Sequence, residues 1–250
     1  MIESTKQFIE QHIETIEENN FEELYFDGQQ ANISIPDLTD ALLAAKIDPL
    51  EHLTYVPASY HCCTEEVLEV VIPKHIKRIG SSAFWDCANL TTVKLPEGLE
   101  VIGLSAFSEC HKLQTITLPS TLEEINQDAF AQTSLTHVKI PDLVTNIPKY
   151  CFEECMSLQT VELGTSVVRL SLGCFGGCKN LHTVKLNEGL ESISNFAFKE
   201  CKKLKKIYIP ETVKRISDEA FYHAYPVIQC KENSSAHTFA QEMNYEYELI

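Results

Sequence analysis

Ten cysteines carry the most reactive atoms of this chain. Four of them, Cys151, Cys155, Cys174 and Cys178, read CxxxC-x18-CxxxC, a spacing that can place four thiolates around a zinc ion. The same residues have a plainer reading. Cys87, Cys110, Cys155, Cys178 and Cys201 each stand three places after a phenylalanine, in a position held elsewhere by Thr133 and Ala224. Cys151 and Cys174 share theirs with Ala83, Ala106, Ala129, Ala197 and Ala220. A position that takes Cys, Thr and Ala alike is small and buried, and a thiol there behaves as a compact hydrophobe. Packing is the reading this interchange favours; a tetrathiolate zinc site and disulfides between neighbouring strands are the alternatives. Cys62 and Cys63 stand outside this pattern beside His61, where a favoured thiolate would be redox-active. A thiol-redox or zinc-binding enzyme is therefore one function class to weigh.

Other catalytic signatures are missing from the sequence. It holds no G-x-S-x-G, no H-E-x-x-H, no Walker loop and no G-x-G-x-x-G after a strand, so no catalytic residue and no cofactor are assigned. What remains is recognition by a surface. Six short segments alternate apolar with polar residues, and the polar members are Thr92 and Lys94, Thr115 and Thr117, His137 and Lys139, Thr160 and Glu162, Thr183 and Lys185, Lys206 and Tyr208. Period-two alternation puts all of these on one face of a sheet, a column of hydrogen-bonding groups suited to a macromolecular partner. The competing reading is a plain solvated sheet rich in β-favouring threonine.

The elements that position these residues repeat. Phe84, Phe107, Phe130, Phe152, Phe175, Phe198 and Phe221 are spaced 23, 23, 22, 23, 23 and 23 apart. Pro73, Pro96, Pro119, Pro141, Gly164, Asn187 and Pro210 keep the same time, as do Leu90, Leu113, Leu135, Leu158, Leu181 and Leu204. The short interval lies in "FAQTSL", which has one residue fewer than "FWDCANL". Each unit ends in L-x-x-[VI]-x-[LI], a short strand stopped by the following proline. Strands recurring so closely must stack as coils with their strands parallel, each coil hiding the apolar face of the next.

This pattern resembles the leucine-rich repeat, and more closely its 23-residue bacterial subtype, called BspA-like, whose units read much like "LPEGLEVIGLSAFSECHKLQTIT". The resemblance spans Leu53 to Val227. It implies an α/β repeat fold, a right-handed solenoid with a parallel β-sheet. The usual Asn or Cys three residues past the strand is replaced by Gly98, Thr121, Leu143, Ser166, Gly189 and Thr212, so Phe, Cys and Pro positions take over the packing. The family is associated with bacterial surface adhesion and binding to host proteins, which implies a protein partner or a glycan.

A solenoid needs caps. We expect an acidic N-terminal helical cap over 1–48, with helices at Ile2–Glu18 and Asp37–Lys46 and a strand pair around Asp27-Gly28. The solenoid runs over 49–229, a degenerate first unit with His61 in the phenylalanine position and then seven units. A helix-strand cap fills 230–250, with Ser235 as N-cap and Ala236, Phe239, Ala240 and Met243 on one face.

The net charge of −16 is concentrated: Met1 to Ile72 hold fifteen acids and two lysines, while Pro73 to Cys230 balance. That field argues against nucleic acid as a partner. Lys199, Lys202, Lys203, Lys205, Lys206, Lys214 and Arg215 form one basic run, facing either solvent, an acidic partner or the acidic N-terminus of another copy by self-association. No apolar run is long enough to span a membrane, and the N-terminus does not read as a secretion signal. The expectation is a non-catalytic protein-interaction module in the cytoplasm, with an exported surface adhesin as the alternative that the resemblance implies.

Overall fold

The computed structural model describes residues 24–26, 29–31, 55–56, 58–63 and 66–250. Both expected N-terminal helices lie outside these residues. The strand pair on either side of Asp27-Gly28 is present, with Leu24–Phe26 antiparallel to Gln29–Ala31.

From Tyr55 onward the chain winds as a parallel-strand solenoid of about eight turns. All coils but one carry two short strands where one was expected. The first ladder uses the anticipated segments, among them Thr92–Lys94, His137–Lys139, Thr160–Glu162, Thr183–Lys185 and Lys206–Tyr208. The second ladder runs through Tyr55–Val56, Arg78–Ile79, Val101–Ile102, Glu124–Ile125, Asn146–Ile147, Arg169–Leu170, Ser192–Ile193 and Arg215–Ile216. Two residues are too few to show alternation, which is why this ladder left no sequence signal. Its inward residues, such as Ile79, Ile102, Ile147 and Leu170, are fully or almost fully buried.

The phenylalanines close the third side. All seven are buried, and successive rings lie 5.3 to 5.7 Å apart within 12° of parallel. Such pairs contribute about 0.5–1.5 kcal/mol each beyond the area they bury. The backbone two residues to either side of most of them is left-handed, as at Ser105 and Glu109, Asp128 and Gln132, Tyr150 and Glu154. Non-glycine residues cost about 1–2 kcal/mol there. The return is a row of amides all aimed at the next coil: Ser105, Phe107 and Glu109 donate to the carbonyls of Gln127, Ala129 and Ala131 at 2.8–2.9 Å. His61 fits the expectation, with left-handed residues Ser59 and Cys63 around it and its ring 6.0 Å from Phe84.

The cysteine ladder completes this turn. Cys110, Cys155, Cys178 and Cys201 each donate a thiol hydrogen bond to the phenylalanine carbonyl of the preceding coil, at 3.1–3.2 Å. Thr133 donates to Phe130 and contacts the Cys155 thiol.

Both ladders break beside the shortened unit. The second ladder stops between Glu124–Ile125 and Asn146–Ile147. On the first, residues 115–117 form no strand, and pairing resumes only at His137–Lys139. The phenylalanine turn absorbs the missing residue, since Phe130 still donates to Cys151 at 2.9 Å and stacks on Phe152 at 5.4 Å. The first ladder opens again between Thr183–Lys185 and Lys206–Tyr208, where the repeat spacing is regular and offers no explanation.

At the C-terminal end, Val227–Cys230 pairs with both Lys206–Tyr208 and Tyr247–Leu249, all parallel. The helix Ser235–Glu242 lays Ala236, Phe239 and Ala240 against the last coil. Its N-cap is Ser234, whose hydroxyl accepts the His237 amide, rather than Ser235; Met243 ends the helix partly exposed. This is the one α-helix among the described residues, so the helical content is lower than an α/β fold implies.

Candidate binding face

The solvent side of the first ladder carries the twelve residues singled out above. Lys94, Thr115, Thr117, His137, Lys139, Thr183, Lys185 and Lys206 are exposed, and Thr92, Thr160, Glu162 and Tyr208 are half-buried. Register aligns His137, Thr160 and Thr183 in one row and Lys139, Glu162 and Lys185 in the next. Much of the row is satisfied within itself. Lys94 pairs with Glu69 at 2.7 Å, Lys185 with Glu162 at 3.4 Å and Lys206 with Glu248 at 2.6 Å, while His137 is hydrogen-bonded to Thr160. Exposed pairs of this kind stabilise by about 0–1 kcal/mol and exchange readily for a partner's groups.

Continuity fails at residues 115–117, and a cleft of about 660 Å³ opens there. Ile116, Thr117 and Leu118 contribute one wall, His137, Lys139 and Ile140 another, and Asp142 and Leu143 the rim. Ile116 and Leu118 are half-buried, whereas their counterparts Val138 and Ile140 one coil on are fully buried. Hydrogen bonds from the Thr165 backbone and hydroxyl hold the Asp142 carboxyl below its ordinary range, with Lys139 assisting. The cleft thus joins an apolar strip to a carboxylate and an ammonium group. Residues 97, 142 and 143 were missed in the sequence, where they sit in turn positions; the 22-residue interval was the only signal of this opening.

The basic run is dispersed rather than massed. Lys202 pairs with Glu200 at 2.7 Å, Lys206 turns to Glu248, Lys199 lies over the Phe196 ring, and Lys214 donates to the Glu211 carbonyl.

Geometry at the cysteines is that of packing. Eight of the ten are buried, all ten are free thiols, and burial pushes the Cys155 thiol up to about 11 and Cys178 well above its ordinary range. Among the described residues no group of three or more His, Cys, Asp and Glu gathers as a metal would require. Cys62 and Cys63 bring their sulfurs to 3.2 Å, and burial followed by the Cys63 thiol pushes Cys62 up to about 11, away from the thiolate.

Two parallel ladders, a stacked aromatic turn and an exposed polar sheet define a solenoid of the leucine-rich-repeat class. Residues 54–182 and 145–247 match the BspA type leucine-rich repeat region in six copies, and the chain belongs to that family. Among solved structures it is similar to a leucine-rich repeat protein from Bacteroides ovatus, with TM-score 0.59 and 22% identity over 85% of this chain. A T. pallidum leucine-rich repeat protein matches with TM-score 0.57 and 26% identity over 81% of each chain. The pneumococcal vaccine antigen PcpA matches with TM-score 0.50 and 19% identity over 75% of this chain. The chain spans 56% of the Bacteroides ovatus protein and 56% of PcpA. No curated protein matches it. No helix among the described residues is long and apolar enough to cross a membrane.

Proposed function

We propose that this protein is a non-catalytic interaction module that binds a protein through the first ladder, with the cleft at Thr115–Leu118 as its centre. The observation that carries the reading is the cleft itself: half-buried Ile116 and Leu118 lie open in the middle of a polar face, several of whose charged side chains pair with one another. An apolar centre within a polar, exchangeable rim is the anatomy of a protein-binding patch. The bound state of the thiols, donated to carbonyls and pushed toward the protonated form, supports a structural role over redox or zinc catalysis. Ten free thiols also favour a reducing compartment such as the cytoplasm.

A pull-down compares the full chain with Lys94→Glu, Lys139→Glu and Lys185→Glu combined, and separately with Thr117→Arg, which fills the cleft from an exposed position. Both variants should lose the same specific partner. Retention of that partner by both removes the first ladder from the binding role.

A further inference from the structure

The second ladder holds a concavity of different character, about 600 Å³ in volume, spanning the coils that follow the break. Its walls form a grid. Arg169, Ser192 and Arg215 occupy successive strands in register, and Ser171, Ser194 and Ser217 stand two residues further along each strand path. Lys149 and Asn195 edge the groove toward the phenylalanine turn, and Leu172 and Ile216 supply its apolar parts.

Charge sets this groove apart from the rest of the molecule. No Asp or Glu lines it. Among the described residues Lys149, Arg169 and Arg215 make no ion pair, a state they share with Lys74, Arg78, Lys112 and Lys139 among others, so what marks the groove is that three such cations gather around a lining without a carboxylate. Ser192 is buried between the two arginines, so its small side chain leaves a notch where a longer residue would fill the row. Unpaired guanidinium groups flanking a notch lined with hydroxyls are preorganised for oxyanions, and the arginine fork matches a carboxylate in two-point fashion.

The geometry points to this groove as a second binding site, independent of the first ladder, for an extended acidic polypeptide segment. Arg169 and Arg215 are two strands apart, about 9.6 Å at the usual strand separation, and residues i and i+3 of a segment in the extended polyproline II form share one face about 9.3 Å apart. Carboxylates at that spacing meet both arginines while the residues between them lie over Ser192 and Ser194. Leu172 and Ile216 receive aliphatic side chains, which a sulfated polysaccharide lacks. The acidic field of the whole chain opposes long polyanions, so the groove selects a short segment.

Fluorescence anisotropy at low salt tests this with the full chain and a labelled decapeptide carrying Glu at every third position with Val between. Saturable binding is expected. Arg169→Gln with Arg215→Gln should weaken it by about tenfold or more, and Ser194→Glu, a single change at a half-buried position that puts a carboxylate into the groove, should do the same. Lys94→Gln with Lys185→Gln, on the other ladder, should leave it unchanged, and circular dichroism confirms that each variant is folded. Absence of saturable binding overturns the assignment, as does binding indifferent to both groove variants or equally lost with the control pair. Tighter binding of dextran sulfate than of the peptide, through the same two arginines, overturns the polypeptide as ligand.

Discussion

Phe152 lies between Phe130 and Phe175 at 5.4 and 5.5 Å, and its carbonyl receives the Cys178 thiol. One side chain therefore serves three coils. Phe152→Ala should destabilise by about 3–5 kcal/mol, because the rigid rings on either side prevent the cavity from collapsing. Chemical denaturation measures it; a loss below about 1 kcal/mol would contradict stacking as a source of stability. The cysteines have a role at this scale that their interchange with alanine concealed. The thiols of Cys110, Cys155, Cys178 and Cys201 each supply a second donor to a carbonyl that already accepts a backbone amide, as Phe152 accepts from Cys155. Burial was legible from the Cys-Ala-Thr exchange, but hydrogen bonding was not, since alanine fills the same space without it.

The shortened unit is the element that shapes the candidate site. Deleting one residue from a coil leaves 22 residues to cover a path its neighbours cover with 23, and the ladders open while the aromatic turn holds. Inserting Asn after Ser134 restores the common length. Strand pairing should then extend through residues 115–117, the Thr115–Leu118 amides should gain protection from hydrogen exchange, and binding at the cleft should fall. Unchanged protection at those amides would dissociate the opening from the missing residue. Much of this was readable beforehand: the L-x-x-V-x-L strands, the Phe spine, the degenerate His61 coil and the helix-strand cap all follow from spacing and alternation. The second ladder was not, because two-residue strands alternate nothing. With it the basic groove stayed hidden, since Arg169 and Arg215 lie 46 positions apart in sequence yet on strands one removed from adjacency.

Over the whole molecule, stability in a stacked array is a sum of coils and of the interfaces between neighbours. Pairing is interrupted at residues 115–117 on the first ladder and between Glu124–Ile125 and Asn146–Ile147 on the second, so the stretch from Thr115 to Ile147 is the weakest seam. Native-state hydrogen exchange in rising denaturant should resolve two cooperative units, residues 69–113 and residues 158–228, with different opening free energies. A single isotherm shared by both would show that the aromatic turn alone makes the rod one unit.

The one-way row of amides along that turn has a consequence for how such a chain can change length. Every coil presents donors toward one end and acceptors toward the other, so a duplicated unit fits wherever it is spliced in, with no new contact to be invented. Whole units are interchangeable parts; fractions of a unit are not, and the lost residue before Leu135 marks what a fraction does.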